Sequence, residues 1–363
     1  MDWIPVLVFI GGLCLVLESL ISVIKAIVLP RSAPDMLTGI FFVSLRHVFN
    51  FLIERKKTYA QKDKIMAYYG PLSVLLMLPI WVTLVLLGFT GMFWTTGPKT
   101  WNWDAWYQSF RISGSSLFTL GFGPLDGFTD VLLGFLEAGV GLLLIALMIS
   151  YLPSMYAAFS RRETAVTQLE VRAGSPPSPF EMLRCYNRLH GLSALTEQWQ
   201  LWETWFADVE ESHTSYPALV FFRSPQPEHS WVTAAGTVLD SAALTLSVID
   251  IPRNPQAFLC IRAGVLALQR ICDFFNVPYN LSPSNDEPIS IRREEFDELV
   301  QQLAEDNLPV KPDLDQAWID YYGWRVKYDR VLLALAVLTM APKALWSSDR
   351  EGLAYVSPPV FRD

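Results

Sequence analysis

Thr119, Leu120, Gly121, Phe122 and Gly123 form a T-x-G-[YF]-G string inside SGSSLFTLGFG, residues 113–123. A row of backbone carbonyls can replace the water shell of a cation, provided the backbone alternates between conformations that turn each carbonyl toward one axis. Glycine permits that alternation. Gly121 and Gly123 are therefore expected to take positive φ, with the Thr119 hydroxyl at the inner mouth of the row and Phe122 directed outward as a packing buttress. Ordinary tight turns also use such strings, so the flanks decide.

Few other residues have the spacing for chemistry. Glu137, fourteen residues after Gly123, is expected behind the string, hydrogen-bonded to the preceding helix at Ser113 or Ser115. His47 reads as a solvated histidine among basic neighbours. Glu210, Glu211, His213 and the distant His229 match no metal-ligand spacing and read as a solvated helix end. Cys14, Cys185, Cys260 and Cys272 are scattered, as free thiols in a reducing compartment would be. No nucleophile, base and orienting group occur together, so no catalytic residues, cofactor or enzyme activity are expected.

The elements that would position the string are apolar spans. From Ile65 to Pro98 there is no charged residue, and Leu72 to Trp94 is long enough to cross about 30 Å of hydrocarbon as a helix. From Val131 to Ser160 the only ionisable side chain besides tyrosines is Glu137. Between these spans, Asp104 to Ser116 has helical composition and leads straight into the string. Irregular backbone at membrane depth is tolerated only where it lines a cavity or is buried in protein.

This arrangement resembles the pore module of the potassium channel superfamily: outer helix (71–94), pore helix (104–116), filter (119–123) and inner helix (128–152). The resemblance covers about a quarter of the chain. It implies that Thr119, Leu120, Gly121, Phe122 and Gly123 bind permeant potassium, with Ser115, Ser116, Phe118 and Glu137 supporting the pore helix. It further implies that bending at Gly139, Gly141 or Pro153 opens the inner mouth; the competing reading of these residues and Gly134 is close helix packing. Phe118 stands where the family usually has a second threonine, Pro124 where many members have aspartate, and Leu120 where valine or isoleucine is commoner. These departures bear on selectivity more than on the pore. One string per chain supplies a quarter of a carbonyl ring, which predicts a homotetramer.

Charge sets an orientation. Seven Lys and Arg residues lie between Pro30 and Tyr69 and two more, Arg161 and Arg162, follow the inner helix, while the string's loop has only Lys99 and Arg111. The string is thus expected to face out of the plasma membrane and the C-terminal part to be cytoplasmic, with Trp94, Trp101, Trp103, Trp106 and Tyr107 anchoring the outer interface. Residues 1–30 predict an additional retained transmembrane helix, without the basic start of a signal peptide, in which Glu18 and Lys25 share a face and can pair. Residues 31–69 read as a basic connector with an amphipathic surface helix from Met36 to Ile53, giving three spans, or four if that stretch crosses.

Beyond Arg162 there are 16 basic and 27 acidic residues, a net charge of −11 that speaks against nucleic acid as a partner. AGSPPSP (residues 173–179) ends an expected linker, 161–179. Helical patterns follow at about Pro179–Ser212, Val232–Ile249, Gln256–Phe275, Ile291–Ala304 and Asp315–Met340. The row Trp199, Trp202, Trp205, Phe206 has helical spacing and reads as core, and Val331–Ala341 as a buried helix end. The fold class is an all-α membrane protein with an all-α C-terminal domain, 180–363. That domain is a candidate sensor whose ligand is not legible, or, in the alternative reading, the partner-binding part of a membrane-anchored scaffold.

Overall fold

The computed structural model describes residues 3–29, 35–97, 101–189, 191–284 and 287–346. Arg31 and Lys99, used above for orientation, lie outside them. Thirteen α-helices occur among the described residues: α1 (Trp3–Val23), α2 (Met36–Glu54), α3 (Tyr59–Met66), α4 (Tyr69–Thr96), α5 (Trp103–Leu117), α6 (Phe128–Ala173), α7 (Pro179–Leu189), α8 (Leu195–Ser215), α9 (Trp231–Ser247), α10 (Pro255–Phe274), α11 (Arg293–Glu305), α12 (Leu314–Arg325) and α13 (Asp329–Thr339). The one β-type pairing among them is an isolated bridge, Ile249 to Val310. The protein is an all-α membrane protein.

The chain forms two compact units, Met1–Arg46 with Pro71–Tyr156, and His47–Gly70 with Ala157–Asp363. Among the described residues four helical stretches, including α1, α2, α4 and α6, are long and apolar enough to cross a membrane. That number includes the stretch expected as a surface helix: α2 is predominantly apolar over its 19 residues despite Arg46 and Glu54, and Asp35 caps its start by accepting the Thr38 N–H at 3.0 Å. Lys25 meets this same Asp35, at 4.0 Å, rather than Glu18, which is exposed.

In the first unit α1 crosses α4 at glycines. A Cβ on Gly12 would stand 2.4 Å from the Gly88 carbonyl oxygen, and one on Gly88 would stand 2.7 Å from that of Gly12. Only hydrogen at both positions allows backbones so close. Two to three turns away, Trp81 Nε1 donates to Ser22 Oγ at 3.0 Å, and Ser19 Oγ donates to the Trp81 carbonyl at 3.3 Å. Trp94 stacks on Trp106 and is itself buried, while Trp101 and Trp103 are exposed.

The second unit is built round α9, which is buried on nearly every side and is correspondingly rich in small and apolar residues. α10, α12 and α7 pack on it and α8 packs on α10, with Trp199, Trp202, Trp205 and Phe206 all in the core and Gly264 making room for Leu239 and Phe206. Two expected long helices are broken. Gly191 at φ +79° separates α7 from α8, and a turn at Val326–Tyr328 separates α12 from α13. α6 continues past the expected end at 152 to Ala173, and Pro153 does not interrupt it. The stretch after Ala173 is no free linker: Pro177, Ser178 and Pro179 are buried, and the Pro177 carbonyl accepts from Thr237 Oγ1 at 3.1 Å.

Candidate functional site

α5 is started by Asn102, whose side chain accepts the Ala105 N–H at 2.9 Å. Its last turn holds the string. The Ser115 carbonyl accepts the Leu120 N–H at 2.8 Å, and the Ser115 hydroxyl accepts the Gly123 N–H at 2.8 Å. One buried serine therefore grips the string near both ends, while the Ser116 carbonyl accepts the Thr119 N–H at 3.0 Å.

The backbone hand alternates, though not at the expected pair. Thr119 (φ +54°) and Gly121 (φ +75°) are left-handed, whereas Gly123 is not. The physical reason lies in the second Ser115 bond, which ties Gly123 against α5; a Cβ there would stand 3.0 Å from Ile112 Cα. Thr119 takes the left-handed place instead, its hydroxyl donating to the Phe118 carbonyl at 2.8 Å. A left-handed residue at every second position turns successive peptides, so neighbouring carbonyls can share one side.

Leu120 and Phe122 are 62% and 56% exposed, and Phe118 is 51% exposed, so in a single chain the string forms one open wall. Gly134 on α6 admits Leu125 and Ser116, whose Cδ1 and Oγ would stand 2.9 and 3.3 Å from a Cβ there. Glu137, on the same helix, is fully buried, its Oε1 2.5 Å from Ser113 Oγ, which also lies 3.0 Å from the Leu86 carbonyl. Ser113 has one hydroxyl proton, so both bonds form together only when Glu137 brings the other. This Glu137–Ser113–Leu86 chain ties α6, α5 and α4 together behind the string. Leu86 and Trp81 carry no sequence signal for such a role, because a backbone carbonyl and a tryptophan in an apolar run look like any other lipid-facing positions. Asp35 did carry one, an acidic residue three before Thr38 at the head of an apolar run.

The gating candidates separate. A Cβ on Gly141 would stand 2.3 Å from the Leu117 carbonyl oxygen, so Gly141 is a packing glycine. Gly139 meets nothing within 4 Å.

Of the residues expected as a solvated helix end, Glu211 is exposed, whereas His213 and His229 are buried. His213 is buried, its Nε2 3.0 Å from Arg162 Nη1. An arginine can only donate, so Nε2 accepts and the imidazole is neutral. Burial first, and then the guanidinium beside it, push the His213 pKa well below its ordinary value. Arg162 also donates to the carbonyls of Leu219 (2.8 Å) and Phe222 (2.7 Å) and pairs with Glu163. Glu210 pairs with Arg270. No cluster of metal-ligating side chains occurs among the described residues, all four cysteines are free, and His47 is exposed.

Fold and spans together define a multi-pass membrane protein. The chain is 26% identical, over 211 residues, to the uncharacterized membrane protein YdjJ of Bacillus subtilis (strain 168). The match covers 55% of this chain and 60% of that protein, so it spans less than two thirds of the relative's length. No family model matches the chain, and no solved structure matches it.

Proposed function

We propose that the chain is a cation channel of the potassium-conducting kind, in which four copies surround one carbonyl-lined filter in the plasma membrane and the C-terminal unit lies in the cytoplasm. One observation carries this reading: the Thr119–Gly123 string alternates in backbone hand and is gripped at both ends by Ser115 between two membrane-length helices. The open wall presented by a single chain supports a ring of copies, since carbonyls must surround a stripped ion. Glu137 then acts as a brace behind the filter, not as an ion ligand.

Two measurements test the proposal. Native mass of the detergent-solubilised protein should give a tetramer; a monomer or dimer would remove the ring. Gly121→Ala forces a side chain into the left-handed region at a strain of about 1–2 kcal/mol per chain. Cation efflux from liposomes should be lost in this variant while its helical circular dichroism is retained, and Gly11→Ala, which meets nothing within 4 Å, should conduct as the parent does. Undiminished efflux in Gly121→Ala would sink the filter assignment.

A further inference from the structure

The second unit contains a cleft of about 670 Å³ that the pore reading does not use. The end of α9, the loop into α10 and one side of α12 wall it. Three cations line it, Arg253, Lys311 and Lys327, against one carboxylate, Asp320. The surrounding sequence has the opposite balance, 16 basic to 27 acidic residues beyond Arg162. Cations have thus been gathered at this one place.

The cations are held differently. The bridge between Ile249 and Val310 fixes the backbone beside Lys311, whose N–H donates to the Val248 carbonyl at 2.9 Å. Lys311 Nζ then donates to the carbonyls of Leu246 (2.8 Å) and Ser247 (3.0 Å) at the end of α9, with no carboxylate paired to it among the described residues. Lys327 Nζ stands 4.5 Å over the Trp324 ring. Arg253 is exposed and has no acidic partner among the described residues. Asp320 is engaged by the Gln316 amide at 2.8 Å. The apolar wall is aromatic, with Phe258 set edge-on to Trp324 at 5.6 Å.

Stray surface lysines would explain one of these cations. They do not explain an arginine unpaired among the described residues and two lysines lining one cleft with tryptophan and phenylalanine. A guanidinium and two ammoniums offer more positive charge than a single carboxylate ligand needs and suit phosphate oxygens, while the indole and phenyl faces suit a flat ring. We propose that this cleft binds a small organic phosphate carrying a planar ring, with Arg253, Lys311 and Lys327 on the phosphate and Trp324 and Phe258 on the ring.

Isothermal titration of the full-length protein in detergent tests this with three probes: phenyl phosphate, inorganic phosphate and benzyl alcohol. Phenyl phosphate should bind saturably and at least about tenfold tighter than either of the others, a difference that reflects both halves of the site. Arg253→Gln with Lys327→Gln should weaken it at least about tenfold, while Arg262→Gln, on the exposed side of α10, should leave it unchanged. Absence of binding up to about 10 mM phenyl phosphate, or equal affinity in the double variant, would overturn the proposal. Equal affinity for inorganic and phenyl phosphate would overturn the ring part of it. The readout is binding, so its failure is distinct from failure of the channel reading.

Discussion

The two units are held together by different means. In the first, helices meet where glycine removes the side chain, at Gly12 on Gly88 and at Gly141 on the Leu117 carbonyl, and hydroxyls bridge what remains, as Ser113 and Ser22 do. In the second, large side chains are packed into one another round α9, and the polar core is ionic: Arg325 pairs with Asp240 at 2.7 Å and Asp329 at 2.6 Å, with Tyr328 donating to Asp240 at 2.7 Å. The difference follows from the surroundings. Lipid tails are as apolar as leucine, so burying leucine against another helix gains little there, and close backbone contact and hydrogen bonds must do the holding. On the proposed reading, which puts the second unit in water, removing tryptophan and phenylalanine from that water is the main stabilising effect.

The largest expected effect breaks the ionic core of the second unit. Burial by itself would lower the Arg325 pKa, but Asp240 and Asp329 outweigh it and hold the pKa well above the ordinary value, so this arginine stays charged. Arg325→Leu leaves two buried carboxylates without a counter-charge and should destabilise this unit by about 3–5 kcal/mol in denaturant unfolding followed by tryptophan fluorescence. A change below about 1 kcal/mol would mean that the cluster is a minor contributor.

Next comes the glycine crossing of the first unit. Gly12→Ala must push α1 off α4 because the new carbon meets a backbone oxygen, at a cost of about 1–3 kcal/mol, whereas Gly11→Ala meets nothing and should be neutral. Detergent-dependent thermal unfolding compares the two, and equal stability would show that the crossing does not hold this unit.

The smallest effect is the pH response of His213. Its folded pKa lies below the unfolded value, so the stability it contributes is full above about pH 6.5 and falls as pH drops through and below that value. The slope should approach about 1.4 kcal/mol per pH unit at most, and His213→Gln should remove it. An acid slope unchanged by the substitution would assign it to other groups.

Much of the first unit was legible because membrane spans and the filter-like string depend on local composition. Uncharged runs gave α4 and the start of α6, and the helical stretch before Thr119 gave α5 to within one residue at each end. What sequence could not show was which glycine turns left-handed, since the Ser115–Gly123 bond that settles it joins residues eight apart. Pro153 reads as a break, yet α6 passes through it. The second unit was legible as a set of helices and an aromatic core. The Arg162–His213 contact was not, because it joins residues 51 apart, and a histidine among glutamates reads as solvated until the fold buries it.

Flux of potassium against sodium through liposomes holding the purified full-length protein tests the central claim most directly. Potassium efflux well above that of empty liposomes, and faster than sodium efflux, is the expected result. Efflux of neither cation above the empty-liposome rate would contradict a filter at Thr119–Gly123.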